Sequence, residues 1–162
     1  MLQVADILGE SVVDGKGLRV VVFLQGCPHG CDGCHNPKLL PFEGGISYEP
    51  EALSKAILAQ LTPIHRGVTF SGGDPLAQAE GLLQVIKALR LSKPDLNIWV
   101  YTGYLFEEVK EYPVLKEINV LVDGPFIMAQ RDISLPFCGS GNQRIIDLPK
   151  TLATGAVQKL IL

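Results

Sequence analysis

The chain has 162 residues, 47% of them hydrophobic and 19% charged, with a formal net charge of −3 at neutral pH. That is enough chain for one domain with its own apolar core, and a composition that is neither disordered nor membrane-like. The weak acidity leaves no basic footprint for nucleic acid, no apolar run approaches the roughly 18 residues that span a bilayer, and the N-terminus carries no signal-peptide pattern.

Residues 1–17 read as a lead-in that closes on turn chemistry, Asp14-Gly15-Lys16-Gly17. Residues 19–26 (RVVVFLQG) are a nearly continuous apolar, β-branched run, the mark of a strand buried on both faces. The run feeds straight into residues 26–37 (GCPHGCDGCHNP), whose glycines and prolines rule out regular helix or strand. After a polar, glycine-rich passage, Ser47 can cap a helix with Glu49, Pro50 and Glu51 in its first turn. Leu53, Ile57, Leu58 and Leu61 then repeat at helical spacing, and Pro63 stops the helix.

Residues 67–71 (GVTFS) predict a short strand, followed at once by Gly72-Gly73-Asp74-Pro75-Leu76. A second helix runs to about Ser92, with Leu82, Leu83, Ile86 and Leu89 on its buried face and Lys93-Pro94 at its end. Strands at 96–101 and 118–123, a short helix at 105–111, a helical turn at 126–130 and a last strand at 143–147 complete the pattern. Alternation of this kind argues an α/β fold with a mostly parallel sheet. Five or six units are too few for a closed eight-fold barrel, so a partial, open β/α barrel is expected. No repeat or linker divides the chain, so residues 1–162 read as a single domain.

Ligand sites in such folds lie beyond the carboxyl ends of parallel strands, which is where residues 27–36 begin. Cys27, Cys31 and Cys34 are spaced C-x3-C-x2-C. Thiolates are the usual ligands of iron–sulfur clusters, and a cubane takes four. Three on one loop would leave one iron open to a small molecule. The same thiolates with His29 or His35 could instead hold tetrahedral zinc, although most zinc modules pair knuckles from two places. A disulfide framework does not suit a chain without a signal sequence, and the reduced thiols point to the cytoplasm.

The C-x3-C-x2-C loop is the signature of radical S-adenosylmethionine (SAM) enzymes, and Ser71-Gly72-Gly73-Asp74-Pro75 resembles the Gly-Gly-Glu turn with which they bind the methionine amino group, with Asp in place of the commoner Glu. Two such motifs in this order disfavour zinc. The runs GVTFSGGDPL (67–76), IWVYTGY (98–104), INVLVDGPF (118–126) and GSGNQRI (139–145) narrow the likeness. Together they resemble the anaerobic ribonucleoside-triphosphate reductase activating enzymes, a family of glycyl-radical activases, over about residues 14–147.

The resemblance implies that Cys27, Cys31 and Cys34 hold one 4Fe–4S cluster. It implies that Gly33, Cys34 and His35 line SAM, and that Gly72, Gly73 and Asp74 hold its amino group. His35 stands where the family usually has Tyr, and an imidazole can still stack on adenine or donate a hydrogen bond. The activity implied is reductive cleavage of SAM to a 5'-deoxyadenosyl radical, which takes hydrogen from a glycine of the large reductase subunit. A one-electron donor such as flavodoxin is implied as a second partner, with no nucleic acid and no membrane. The alternatives are activation of another glycyl-radical enzyme of the formate lyase type, and a non-catalytic zinc or iron–sulfur module.

Several further residues carry two readings. Thr102 and Asp123 end strands on the presumed active face and can contact SAM, or can serve as turn residues. Asn142, Gln143 and Arg144 either face the substrate opening or form a structural hydrogen-bond cluster. Cys138 reads as a small packing residue, His65 as a surface residue and Trp99 as core. Residues 151–162 lie beyond the resemblance, a C-terminal tail with no assigned role.

Overall fold

In the computed structural model, which describes residues 1–31, 33, 34 and 37–162, the first element is a strand where the sequence suggested only a lead-in. Strand β1 (Leu2–Ser11) buries Leu2 and Val4 and lies antiparallel to β2 (Arg19–Leu24) on one side and β3 (Ile46–Tyr48) on the other. Asp6, Gly9 and Glu10 interrupt its apolar alternation, so its pairing with β2 and β3 makes it a strand. Ser47 belongs to β3, where its hydroxyl donates to Gln3 Oε1 at 3.0 Å, and does not cap the next helix. That helix, α1 (Pro50–Gln60), starts from Glu49 without a side-chain cap and relies on Pro50 in its first turn.

The chain continues as β4 (Gly67–Gly72), a 3-10 turn (Pro75–Gln78), α2 (Ala79–Ser92), β5 (Asn97–Tyr101) and α3 (Phe106–Val109). Strand β6 (Val120–Asp123), β7 (Arg144–Asp147) and α4 (Leu148–Thr154) follow. All seven strands share one sheet, in the order β3-β1-β2-β4-β5-β6-β7. The central four, β2, β4, β5 and β6, run parallel. Both flanks are antiparallel, including β7 against β6, where strand–helix alternation alone suggested another parallel strand. No helix among the described residues is long and apolar enough to cross a membrane.

Alternate positions along the central strands face opposite layers. Val20, Val22, Phe70, Ile98, Val100 and Leu121 pack with Leu82, Val85, Ile86 and Leu89 of α2 and with Leu53 and Ile57 of α1. Each such side chain contributes about 2 kcal/mol by leaving water. The other face carries Trp99, Val120 and Val122, against which Phe137, Cys138 and Ile145 pack. Trp99 meets Phe137 edge to face at 5.2 Å and, as expected, is core.

Beside Trp99 lies Arg19, fully buried, its guanidinium 5.6 Å from the indole ring. Its donors reach the Thr69 hydroxyl and the carbonyls of Lys16, Val68 and Asn97. Burial pushes its pKa down to about 10, still charged at neutral pH, and its hydrogen bonds make that tolerable.

The last segment is not a loose tail. Gly155 closes α4 in a left-handed conformation (φ 77°) and donates to the Thr151 carbonyl. The chain then returns alongside β7, with Asp147 N–H donating to Gln158 O at 2.8 Å and Leu160 N–H to Ile145 O at 2.8 Å.

Candidate functional site

The carboxyl ends of the parallel strands open onto a cleft of about 140 Å³. Cys27, Cys31 and Cys34 line it from one side, and Gly72, Gly73 and Gly103 from the strand ends. The cysteine loop is stitched down by its main chain. Gly26 N–H donates to Leu39 O at 2.7 Å, Cys27 N–H to Leu40 O at 2.9 Å, and Cys34 N–H to Cys31 O at 3.2 Å. The glycine turn clasps the start of the same loop, with Gly73 N–H donating to Leu24 O and Asp74 N–H to Gly26 O, both at 2.8 Å. A Cβ on Gly73 would stand 2.2 Å from Gly26 O, so a side chain there would push the loop away from β4. The two sequence motifs are therefore one piece of structure.

Burial raises the pKa of the Cys27 thiol, opposed by a hydrogen bond from the His29 main-chain N–H. Three half-buried thiols around one cleft are a soft donor set suited to an iron–sulfur cluster. A mixed set is also present, since ligand atoms of Cys27, His29 and Asp74 lie within 4.8 Å of one another.

Asp74 is fully buried and is the hub of the turn. Its Oδ1 accepts from Leu76 N–H at 2.9 Å, starting the 3-10 turn, and from the Thr102 hydroxyl at 2.9 Å. Its Oδ2 accepts from Gly103 N–H at 2.9 Å, from the Thr102 hydroxyl at 3.0 Å and from His29 Nε2 at 2.5 Å. Thr102 thus reaches the site through Asp74 while also lining the cleft. Gly33 is exposed, with the Met128 methyl lying where a Cβ would be. His35 lies outside the described residues.

Asp123 is also fully buried, and its carboxylate is taken up by Arg144 and by the N–H of Phe106, at 2.8 Å. Hydrogen bonds that Arg144 donates to Asp123 and Glu107 hold its pKa above its ordinary range. Asn142 and Gln143 are structural partners of the β6–β7 connection. Asn142 Nδ2 donates to Pro125 O at 2.8 Å, and Gln143 Nε2 donates to Gly124 O at 3.0 Å. Gln143 lines the cleft as well. His65 is partly buried, with Nε2 donating to Gly9 O at 2.7 Å and Nδ1 accepting from Thr62 N–H at 3.1 Å.

Sequence reasoning weighed His29 only as a zinc ligand. Its place on Asp74, 45 residues away, had no signal beyond its position inside the cysteine loop. Tyr101 and Ser71, also cleft-lining, lie inside motif runs of the sequence but received no role of their own there. Burial drives the Tyr101 phenol well above its usual pKa, so it is a neutral wall of the cleft.

Residues 13–146 match the family described as a 4Fe-4S single cluster domain. The chain is 40% identical over 142 residues to the anaerobic ribonucleoside-triphosphate reductase-activating protein of Haemophilus influenzae, covering 83% of this chain and 91% of that one. Its counterparts in Escherichia coli K12 and bacteriophage T4 are 37% and 33% identical over 140 residues, which cover 82% of this chain and 90% and 86% of theirs. Among solved structures, QueE from Escherichia coli aligns with a TM-score of 0.45 and 21% identity, over 63% of this chain and 52% of that chain.

Proposed function

The chain belongs to the family of anaerobic ribonucleoside-triphosphate reductase-activating proteins, and from that premise we propose how its cleft carries out the activation. Cys27, Cys31 and Cys34 hold a single 4Fe–4S cluster, leaving one iron for SAM. Gly72 and Gly73 form the wall that receives the amino group, with Asp74 buried behind it, and Gly33, Cys34, His35 and Thr102 flank the ligand. The Asp123–Arg144 pair braces the end of β6 against the start of β7. The observation that carries this reading is the convergence of three thiols and the glycine turn on one cleft at the strand ends.

A cluster held by Cys27, Cys31 and Cys34 would supply the one electron for reductive cleavage of SAM, and the hydrogen to be removed would be the Cα hydrogen of one glycine of the large reductase subunit. The residues of this chain bind, orient and enclose. Main-chain hydrogen bonds fix the cysteine loop over β2 and β4, and Tyr101 and Phe126 give the cleft neutral walls. The parallel part of the sheet is read as a partial, open β/α barrel within one domain, whose mouth admits a polypeptide segment. A one-electron donor such as flavodoxin supplies the reductant. The cytoplasm keeps the thiols reduced, and neither nucleic acid nor membrane takes part.

Anaerobic reconstitution with iron and sulfide, reduction with dithionite in the presence of SAM, and chromatography test the reading. 5'-Deoxyadenosine should form with this chain and not with Cys31→Ala. Protein that takes up zinc, stays colourless with iron and leaves SAM intact would overturn it.

A further inference from the structure

Asp74 does not line the cleft: it is fully buried, beneath Thr102, Gly103 and His29, which do. Three of the groups it accepts from are local scaffolding, namely the N–H groups of Leu76 and Gly103 and the hydroxyl of Thr102. The fourth, His29 Nε2, comes from the cysteine loop.

The imidazole has a fitted seat. Its ring meets Tyr104 edge-on, centroids 4.5 Å apart at 77°. Gly103 leaves the remaining room, since a Cβ there would lie 2.5 Å from His29 Cδ2. With Nε2–H donated to a carboxylate, Nδ1 is the acceptor nitrogen, and it has no hydrogen-bond partner among the described residues.

We propose that His29 is the side chain through which Asp74 acts on the ligand: Asp74 fixes the ring through Nε2, and Nδ1 accepts an N–H of the amino group of the bound SAM. This rests on the reading above and deepens it. Aspartate is a methylene shorter than glutamate, and this one is held back by its own turn. The imidazole restores the missing reach.

The test compares SAM with its analogue lacking the amino group, as dissociation constants for the reconstituted, unreduced protein. The native chain prefers SAM through every contact to its amino group, and the His29 hydrogen bond contributes about tenfold of that preference. His29→Ala loses this tenfold share while binding the analogue as before, and His29→Gln, whose amide both donates and accepts, recovers it. A preference undiminished in His29→Ala overturns the proposal, as does equal weakening of both ligands, the mark of a purely structural role. Should His29→Ala fail to hold iron, His29→Phe decides by the same comparison, because it keeps the ring on Tyr104 without nitrogens. Native protein that holds a cluster but binds neither ligand overturns the functional reading itself, and the proposal with it.

Discussion

Arg144 closes on Asp123 with two hydrogen bonds, Nε to Oδ1 at 3.0 Å and Nη2 to Oδ2 at 2.5 Å, and so ties the start of β7 to the end of β6. Asp123 has no exposure of its own. Removing the guanidinium leaves a buried carboxylate supported by one amide, from Phe106. Arg144→Met is expected to lower stability by about 3 kcal/mol, the cost of an unpaired buried charge. Urea unfolding followed by tryptophan fluorescence measures it, and a loss within the scatter of ordinary surface substitutions would contradict the pairing.

The same arginine reaches Glu107 at 2.6 Å, on an exposed side chain. Hydrogen bonding to Arg144 holds the Glu107 pKa below its ordinary value of 4.5. A carboxyl lowered by folding stabilises the folded state above that ordinary value, and the contribution is lost as pH falls through the lowered one. The urea midpoint should therefore drop as pH falls below the ordinary value of 4.5, and this part of the drop should be missing in Glu107→Gln. The effect is small because the pair is solvent-screened.

Thr102 donates to both oxygens of Asp74, at 2.9 and 3.0 Å, from a buried position. Thr102→Val keeps the shape and removes the donor, at a cost of about 2 kcal/mol for a hydrogen bond to a charged group. Thr102→Ser keeps the hydroxyl and should restore most of it. Thermal unfolding of the three proteins side by side distinguishes the donor from the methyl group.

Gly73 and Gly141 make a matched pair. A Cβ on Gly73 meets the main chain of Gly26 at 2.2 Å, whereas one on Gly141 finds nothing nearer than 3.9 Å. Gly73→Ala is expected to destabilise by about 2 kcal/mol through overpacking and to lower the iron retained after reconstitution, since the displaced main chain leads into Cys27. Gly141→Ala should leave both unchanged. Iron per chain and melting temperature report the two effects separately.

Cys138 packs with the Trp99 cluster, far in role from the cleft thiols. Cys138→Ala should retain full iron and the visible absorption of the cluster, with a loss of about 1 kcal/mol from the small void. Cys27→Ala should retain neither iron nor colour. Iron in Cys27→Ala equal to the native level would remove that thiol from the proposed ligand set.

What could be read from the linear chain follows from local physics. Continuous β-branched runs made β2, β4, β5 and β6 visible, and one-sided apolar spacing made α1 and α2 visible. Cysteines four and three positions apart can meet around one metal centre whatever surrounds them, so the cleft's thiols needed no tertiary knowledge. Strand β1 was hidden because its polar positions break the alternation, and its hydrogen bonds come from the neighbouring strands β2 and β3. The antiparallel return of β7 and the tail pinned against it depend on contacts between chain segments that carry no local signature. The same is true of the site's electrostatics. His29 meets Asp74, and Asp123 meets Arg144, across 45 and 21 residues. Which carboxylate is buried, and which side chain reaches past it into the cleft, was decided by packing, because a buried charge persists only where the fold brings it enough donors.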